Sequence, residues 1–369
     1  MAITWAGLDS VEFYSAQRTL QSNWERPVNS KEAFVFVNLG TPDAPKVSAV
    51  RRYLREFLSD PFVIDIPAVL RWILVYLIIV PFRAKKSTHA YSQIWSERGS
   101  PLRFHSEDFV SQLQAQRKET TILAMRYGKP QLFQQLKNLK QQGVKKIFLL
   151  PLYPQYALST TETTLDVARK WQRSYGEGQV DVFYLREFYR HPAFLKSWVI
   201  NIKEHISSKP VDRVLFSFHG LPVRHIKKVA KGCLENPGCC EVIRPANQLC
   251  YRMQCVQTAE ALAKELGLAT DQWQVSFQSR LGKDAWLEPY TDQVLPHWAK
   301  TGVKTVAVVA PSFVADCLET LEEIAIRARE DFKAAGGEEL FLVPSLNSNP
   351  QWVSAVSEIL DEKSLWHPL

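Results

Sequence analysis

Short apolar runs that alternate with longer helical stretches constrain the fold of this 369-residue chain more than any other feature. The runs are apolar throughout rather than at every second residue, which is typical of strands buried on both faces of a parallel sheet. Strands are predicted at 34–39, 121–125, 146–150, 180–184, 213–218, 274–277, 305–310 and 340–343. Helical stretches are predicted at 46–58, 103–117, 130–141, 160–175, 192–206, 245–266, 291–300, 318–333 and 350–366. We therefore predict an α/β fold of doubly wound, Rossmann-like parallel sheets.

Two matching segments indicate that the α/β unit occurs twice. Gln142-Gly143-Val144-Lys145 and Thr301-Gly302-Val303-Lys304 each place a glycine between a helix and a buried strand. At roughly 150 residues per domain, the length also favours two domains. The predicted parts are an N-terminal extension at 1–32, a first domain at 33–189, a second domain at 190–349, and a C-terminal helix at 350–369 that packs on the first domain.

Charge and composition limit the partners of the chain. Lys and Arg number 45 and Asp and Glu number 38, so the net charge is +7, which suits an anionic lipid surface or an anionic substrate. The basic runs Lys85-Lys86 and Lys227-Lys228 are too short to predict nucleic-acid binding. Residues 1–32 contain Asp9 and Glu12 and have no apolar core of the signal-peptide type, so we interpret them as an extension of a cytosolic protein.

An uncharged stretch of 11 residues runs from Trp72 to Phe82. A membrane-spanning helix needs about 20 apolar residues, so this stretch is too short to span a bilayer. It is either a helix buried in the core, as short apolar runs usually are, or an exposed apolar lip over a binding cleft. In the second case the basic residues that follow, Arg83, Lys85 and Lys86, would favour anionic headgroups.

Polar side chains stand directly after several predicted strands, where ligands of open parallel sheets bind. His219 follows the strand at 213–218, and Gly220 and Pro222 place it in a tight turn. A neutral imidazole at this position suits proton acceptance or ligation of a divalent metal. The alternative is a structural histidine that forms hydrogen bonds within the turn.

Acidic residues on one helical face follow the strand at 305–310. Asp316, Glu319 and Glu323 are spaced by three and seven residues from the first. Such a line of carboxylates, if it enters a cleft, could pass protons or hard cations. Asp316-x-x-Glu319 is equally the pattern of a capping box, which serves only the start of the helix.

Further residues are candidates for the wall of a largely apolar pocket. Arg126 and Tyr127 follow the strand at 121–125, where the guanidinium could hold a carboxylate and the ring could stack on a flat ligand. Tyr91, Ser100 and Trp286 have polar tips that could line the same pocket.

A series of motifs occurs in order between about 33 and 345. They are Val37-Asn38-Leu39-Gly40-Thr41-Pro42, Leu54-x-x-Phe57-Leu58-x-Asp60, Tyr91-x-x-Ile94-Trp95 with Gly99-Ser100-Pro101-Leu102, Ala124-Met125-Arg126-Tyr127-Gly128, Pro151-Leu152-Tyr153-Pro154-Gln155-Tyr156, Phe216-Ser217-Phe218-His219-Gly220-Leu221-Pro222, Phe277-Gln278-Ser279-Arg280-Leu281-Gly282 with Trp286-Leu287, and Asp316-Cys317-Leu318-Glu319-Thr320-Leu321-Glu322-Glu323. In this order they resemble the ferrochelatase family, in particular its Gram-negative bacterial type.

The resemblance implies a lyase that inserts Fe²⁺ into protoporphyrin IX, the last step of heme biosynthesis, in a cleft between the two domains. It implies that His219 and Glu319 face each other across the macrocycle as catalytic residues and ligands of the substrate iron. It also implies that the lip at 62–86 touches the inner membrane peripherally from the cytoplasm. The substrate-binding residues that it implies are Tyr91, Ser100, Arg126, Tyr127, Trp286, Arg83, Asp316 and Glu323. Cys317, where some members have histidine, is given no catalytic role.

The chemistry suits these residue types. A planar macrocycle presents its nitrogen lone pairs poorly, so an enzyme that holds it bent would approach the shape of the transition state. Our hypothesis is that His219 accepts the pyrrole protons. Glu319, with the acidic residues behind it, would deliver iron or carry protons away.

Cysteines cluster in an insertion predicted at 231–255. Clustered cysteines in a chain without a secretory signal indicate metal before disulfides. Cys255 belongs to the pattern Tyr251-x-x-Gln254-Cys255, which family members without a cluster also carry. The remaining four suit a [2Fe–2S] cluster, as some ferrochelatases bind, with zinc or free thiols as alternatives; they are Cys233, Cys239, Cys240 and Cys250.

Other functions on the same fold remain open at this point. The alternatives are a chelatase for coproporphyrin or another metal, and a non-catalytic tetrapyrrole carrier. A carrier is expected to lack His219 or Glu319, and both are present. A dinucleotide-binding enzyme is disfavoured because no Gly-x-Gly-x-x-Gly follows a strand.

Overall fold

The computed structural model describes residues 30–207, 209–234, 238–280, 282 and 284–369. The predicted N-terminal extension lies outside the described residues except for its last three. The strands are β1 Glu32–Asn38, β2 Thr120–Met125, β3 Lys146–Pro151, β4 Asp181–Leu185, β5 Arg213–His219, β6 Trp273–Gln278, β7 Thr305–Val309, β8 Glu339–Leu342 and β9 Trp366–Pro368.

Helices connect most of the strands. They are α1 Val47–Leu58, α2 Ala68–Ile73, α3 Val80–Ile94, α4 Pro101–Gln116, α5 Leu132–Gln141, α6 Thr163–Trp171, α7 Pro192–Ile206, α8 Val223–Val229, α9 Tyr251–Leu266, α10 Thr291–Lys300, α11 Leu318–Thr320, α12 Arg329–Ala334 and α13 Pro350–Asp361. Wider π-helical turns extend several of them, at Leu74–Ile79, Leu158–Glu162, Gln172–Gly176 and Leu321–Ala328, and a 3₁₀ turn follows at Lys363–Leu365.

Two sheets repeat one strand order. The first runs β2-β1-β3-β4-β9 and the second β6-β5-β7-β8, so each half places its first strand between its second and third. All pairs among β1–β4 and among β5–β8 are parallel. This confirms the predicted fold of doubly wound parallel sheets. All eight predicted strands are present within one or two residues at each end, because each contains a short apolar run of strand length.

Strand β9 was not predicted, and it pairs antiparallel with β4. Its three residues carry no apolar run that could mark a strand. The pairing is stabilised instead by Trp366, whose ring lies 5.1 Å from that of Phe148 and 6.0 Å from that of Phe34. The helix predicted at 350–366 consequently ends at Asp361, because the chain must turn there to reach β4.

Two further differences from the predicted helices lie in the second half of the chain. The helix predicted at 245–266 begins at Tyr251, because Asn247 holds the preceding turns: its amide donates to the carbonyls of Cys239 and Val242, each at 2.9 Å. Helix α8, seven residues long, was not predicted.

One apolar core joins the two sheets and the C-terminal helix. Phe36 of β1 and Phe216 of β5 both belong to it. Helix α13 inserts Trp352, whose ring stacks 6.0 Å from that of Phe109 on α4. Arg117 donates to Ser357 Oγ (3.0 Å) and to Asp361 (2.8 Å), which ties the end of α13 to the end of α4. The division of the chain into domains at 33–189 and 190–349 stays a prediction.

The uncharged stretch at 72–82 lies in one long helical segment formed by α2, the π-helical turn Leu74–Ile79 and α3. Val75, Val80 and Ala84 on one side are buried. Seven apolar side chains on the other side are exposed: Val69, Leu70, Trp72, Ile73, Leu77, Ile78 and Phe82. The segment is therefore not enclosed in the core. Within the part of the chain that the structure describes, no helix is both long enough and apolar enough to cross a membrane.

Candidate active site

His219 ends strand β5, and its backbone is fixed from two sides. Its N–H donates to Ser312 Oγ (3.3 Å), and its carbonyl accepts from the Tyr251 hydroxyl (2.9 Å). The ring is half-buried, and Nδ1 lies 2.6 Å from the carbonyl oxygen of Gly220. Because a carbonyl oxygen only accepts, Nδ1 carries the proton of the neutral ring and Nε2 keeps its lone pair. The turn therefore leaves a basic nitrogen at the carboxyl edge of the second sheet.

Glu319 and Glu323 lie on the helical segment after β7, and the charges of Glu319 and His219 both act on Glu323. Burial raises the pKa of the Glu323 carboxyl and the charge of Glu319 adds to the rise, whereas Ser279, Arg327 and His219 oppose it. Ser279 donates its N–H to Glu323 Oε1 at 2.9 Å and its hydroxyl to Oε2. Glu323 is thus held by Ser279 and is influenced by the charges of both Glu319 and His219.

The capping box that was the alternative interpretation of Asp316-x-x-Glu319 forms one residue later. Cys317 and Thr320 make it, and the Cys317 N–H donates to Thr320 Oγ1 at 3.0 Å. The Glu319 side chain is therefore not used to cap helix α11.

Asp316 is buried, and its carboxylate is already occupied. It accepts from Thr320 Oγ1 (3.0 Å), the Ser345 N–H (3.2 Å) and Asn347 Nδ2 (2.7 Å). It also lines a cavity of about 280 Å³ between the π-helical turn Leu321–Ala328 and β8. In this arrangement Asp316 organises the start of the helix that carries Glu319.

Tyr91 and Ser100 of the first half form a small buried group with Thr41. Thr41 Oγ1 donates to Ser100 Oγ at 2.8 Å. Burial raises the pKa of the Tyr91 phenol, and the charge of Glu319 is the next largest cause. Tyr91 of α3 therefore lies near Glu319, although 228 positions of the sequence, 319 minus 91, separate them.

Arg126 and Tyr127 both bind Asp60, which the sequence motifs contained but which was not predicted as a site residue. The Tyr127 hydroxyl donates to Asp60 Oδ2 at 3.0 Å, and Arg126 Nη2 forms a short ion pair with the same oxygen. Thr163 Oγ1 donates to it as well (2.6 Å) and accepts from Arg126 Nε (2.7 Å). Arg126 was predicted to hold a carboxylate, and in the structure that carboxylate is the side chain of Asp60.

Trp286 and Arg83 occupy different surroundings. Trp286 forms a backbone bridge with Pro222, and its ring would lie 3.4 Å from a Cβ placed on Gly220. It therefore stands beside the turn that holds His219. Arg83 is exposed on α3, next to the exposed ring of Phe82.

Asp65 ties the loop before α2 to helix α8 of the second half. Its carboxylate accepts from Arg224 Nε at 2.7 Å and forms a short ion pair with Lys228. Burial alone would raise the pKa of Asp65, but the hydrogen bonds from Lys228 and Arg224 outweigh it and hold the pKa well below its usual range. Nothing in the sequence pattern indicated this contact.

The cysteine insertion packs beside the same core. Cys240 and Cys250 are buried, and the Sγ atoms of Cys239 and Cys240 are 3.8 Å apart. A hydrogen bond from Cys250 and the charge of Arg252, whose Nη1 lies 3.0 Å from Cys240 Sγ, lower the pKa of Cys240 to about 6. A hydrogen bond with Cys240 and burial raise the pKa of the Cys250 thiol, and the charge of Cys233 adds to the rise. In the described ranges, which omit 235–237 of this loop, no three His, Cys, Asp or Glu side chains are placed to hold a metal ion.

Comparison with known proteins gives one consistent result. The sequence model of the family described as Ferrochelatase matches residues 31–364. The chain is 45% identical over 347 residues to a ferrochelatase of Coxiella burnetii, covering 91% of this chain and 95% of that protein. It is 44% identical over 336 residues to one of Legionella pneumophila (90% and 99%) and 46% identical over 341 residues to one of Pseudomonas fluorescens (90% and 98%).

Two solved structures of low sequence identity have a similar fold. SirB from Bacillus subtilis with Fe³⁺ aligns with a TM-score of 0.52 at 12% identity, covering 90% of this chain and 95% of that one. The sirohydrochlorin chelatase SirB of Bacillus subtilis subspecies spizizenii in complex with cobalt aligns with a TM-score of 0.51, also at 12% identity, covering 89% and 93%. At this identity the likeness concerns the fold alone.

Proposed function

Because this chain belongs to the ferrochelatase family and is accordingly a metal chelatase, we propose that it is a lyase that inserts Fe²⁺ into protoporphyrin IX. The products are protoheme and two protons, and the step is the last one of heme biosynthesis. The observation that carries the proposal is the similarity to ferrochelatases over 90–91% of the chain, combined with the charges of His219 and Glu319 that both act on Glu323. The cleft is proposed to lie between the domains 33–189 and 190–349.

His219 is proposed as the acceptor of the pyrrole protons. Its Nε2 keeps a lone pair because Nδ1 donates to Gly220. Insertion breaks two pyrrole N–H bonds and forms the bonds between iron and nitrogen, so two protons must leave the ring. A half-buried imidazole is suited to take each proton and to release it, as histidines do in general acid–base catalysis.

Glu319 is proposed to face the macrocycle from the acidic side and to hold the substrate iron or remove protons. Glu323 lies one turn further along this side. Ser279 donates a hydrogen bond to its carboxylate, and Ser279 and Arg327 both act to lower its pKa. Asp316 supports the same helix start through Thr320. Carboxylate oxygens and an imidazole nitrogen are both ligands that a divalent iron accepts.

The porphyrin is proposed to lie against Tyr91, Ser100, Tyr127 and Trp286. Tyr91 and Ser100 are buried in the first half, and Trp286 stands beside the His219 turn in the second. We propose Arg83, exposed at the lip, as a partner for a propionate of the porphyrin. Arg126 is proposed to act indirectly: it binds Asp60, and Asp60 holds the Tyr127 hydroxyl.

The experiment that tests the function is an insertion assay with protoporphyrin and coproporphyrin side by side, with Fe²⁺ and with Zn²⁺. We expect faster turnover of protoporphyrin with Fe²⁺. A clear preference for coproporphyrin, or for another metal, would replace this substrate assignment by another chelatase. Tight porphyrin binding without turnover would indicate a carrier.

We also propose that the chain contacts the inner membrane peripherally, from the cytoplasm, through the lip at 62–86. The supporting observation is the group of exposed apolar side chains on α2, the following π-helical turn and α3, next to exposed Arg83, Lys85 and Lys86. An apolar patch beside cations suits anionic headgroups and would also admit a hydrophobic porphyrin.

Removing apolar side chains from the lip is expected to weaken membrane binding. Leu77 is 57% exposed and Phe82 80% exposed, so both would enter the headgroup region. We expect L77S/F82S to lower the partition coefficient on phosphatidylglycerol vesicles by about tenfold or more in a sedimentation assay, since each apolar side chain contributes about 1.5–3 kcal/mol on full burial. Val242→Ser, a change at a similarly exposed residue (54%), is the control. Equal binding of both variants and the wild type would exclude the lip as the contact.

For the cysteine insertion we propose a [2Fe–2S] cluster held by Cys233, Cys239, Cys240 and Cys250. Four thiols fit the ligand set of such a cluster. In support, Cys240 is close to Cys239 and hydrogen-bonds with Cys250. The charge of Cys233 contributes to the raised pKa of Cys250. The charge of Arg252 favours a thiolate at Cys240. A bound cluster would supply a one-electron redox group, and we assign it no step in iron insertion.

The cluster proposal predicts acid-labile sulfide and a visible charge-transfer absorption in the purified protein. Sulfide separates a cluster from bound substrate iron. We expect Cys250→Ser to lose both signals, because one of four ligands is removed, and Cys255→Ala to keep them, because Cys255 lies in the helix outside the ligand set. Zinc without sulfide would establish a zinc site, and absence of both metals would establish free thiols.

A further inference from the structure

The side chain of Gln278 joins the two segments that carry His219 and Glu319. Its Oε1 accepts from Ser217 Oγ at 2.7 Å, and its Nε2 donates to the backbone carbonyl of Glu319 at 2.8 Å. Ser217 precedes His219 by two residues on β5, so both side chains point to the same face of the sheet. From this juxtaposition we propose that Gln278 is a positioning residue for iron insertion, which fixes Glu319 relative to His219. The inference rests on the proposed function.

The backbone of Gln278 holds the turn after His219 as well. In the parallel register of β5 and β6, Gln278 is the partner of His219, and its carbonyl accepts from the Gly220 N–H at 2.7 Å. A Cβ on Gly220 would lie 2.8 Å from that carbonyl oxygen, so the turn packs directly against Gln278. One residue therefore contacts the histidine turn through its backbone and the glutamate helix through its side chain.

Only an amide of this length suits both side-chain contacts. Gln278 is 3% exposed, so an unsatisfied polar group on either side would be costly. A carboxylate cannot donate to the Glu319 carbonyl, and an apolar side chain can neither donate nor accept. The amide lies in a buried polar group with Ser217, Ser276 and Thr291, where Thr291 Oγ1 is 2.9 Å from Ser217 Oγ and 2.8 Å from Ser276 Oγ. Gln278 connects this group to Glu319 through its hydrogen bonds with Ser217 and with the Glu319 carbonyl.

The test is Gln278→Met, which keeps the length of the side chain and removes both hydrogen bonds. We expect kcat for iron insertion to fall about 10- to 100-fold, the range typical when a group that orients a metal ligand is lost. The KM for protoporphyrin should stay within about twofold, because the proposed porphyrin contacts of the first half are unchanged. Porphyrin binding followed by fluorescence quenching should be unchanged for the same reason.

Thr291→Val is the matched control, because it removes two hydrogen bonds from the same buried group without a contact to Glu319. We expect it to lower the melting temperature about as much as Gln278→Met and to keep kcat within about twofold. A wild-type kcat in Gln278→Met, or an equal loss of kcat in both variants, would overturn the proposal. So would a rise in KM with kcat unchanged. If the wild-type protein itself inserts no iron, the proposed function fails, which is a different outcome from any of these.

Discussion

Replacing His219 by alanine is expected to lower iron insertion by about 10²- to 10⁴-fold, the contribution typical of a general acid or base. The reason is that the variant loses the Nε2 lone pair that the Gly220 contact leaves available. The backbone contacts of residue 219 with Ser312 and Tyr251 do not need the imidazole, so the fold should persist. The measurement is kcat for Fe²⁺ insertion, with the melting temperature and porphyrin affinity recorded on the same protein.

His205→Ala is the matched control for this prediction. His205 is also half-buried, and its Nδ1 lies 2.8 Å from the backbone carbonyl of Asn201, the same kind of contact that His219 makes. It lies on α7, which carries none of the proposed site residues, so its loss should leave turnover within about twofold of the wild type. Wild-type turnover in His219→Ala would remove His219 from the mechanism.

Replacing Glu319 by glutamine is expected to lower kcat by about 10²-fold, the lower end of the range for a group that handles protons in the transition state. Glutamine keeps the size of the side chain and leaves the backbone carbonyl that accepts from Gln278. The change therefore removes the charge without removing the positioning contact. The pKa of Glu323 should fall in this variant, because the neighbouring negative charge that raises it is gone.

Glu322→Gln serves as the control for Glu319→Gln. Glu322 is on the same helical segment, and its carboxylate pairs with Arg327 Nη2 at 3.0 Å. The same chemical change at this position should cost at most about 1 kcal/mol of stability, as for other partly exposed ion pairs, and leave kcat unaltered. Equal kcat values for the two variants would mean that the effect of Glu319 is not local to the site.

The fold could be predicted from the sequence because its strands are local apolar runs. Each of the eight runs is recognisable from its own composition, whatever its partners are, so apolar content and length were sufficient. Strand β9 could not be predicted in this way, because three residues are too few to show a pattern. It lies at the edge of the sheet because Trp366 packs against the rings of Phe34 and Phe148.

The candidate site was predictable in position but not in its contacts. The rule that ligands bind beyond the carboxyl ends of parallel strands placed His219 and the acidic helix correctly at the edge of the second sheet. It could not show that Arg126 would be bound by Asp60, which lies 66 positions earlier, or that Gln278 would join β5 to the helix of Glu319.

The amino-acid sequence by itself determined the order of strands and helices and the residue types that stand at the strand ends, because both depend on neighbours within a few positions. The tertiary structure alone decided which of these residues meet. It placed Tyr91 of one half near Glu319 of the other and exposed one side of the apolar helical segment while burying Val75 on the opposite side. The physical reason is that hydrogen bonds, ion pairs and burial depend on distance in space, and that distance is set only when the two sheets pack around their common core.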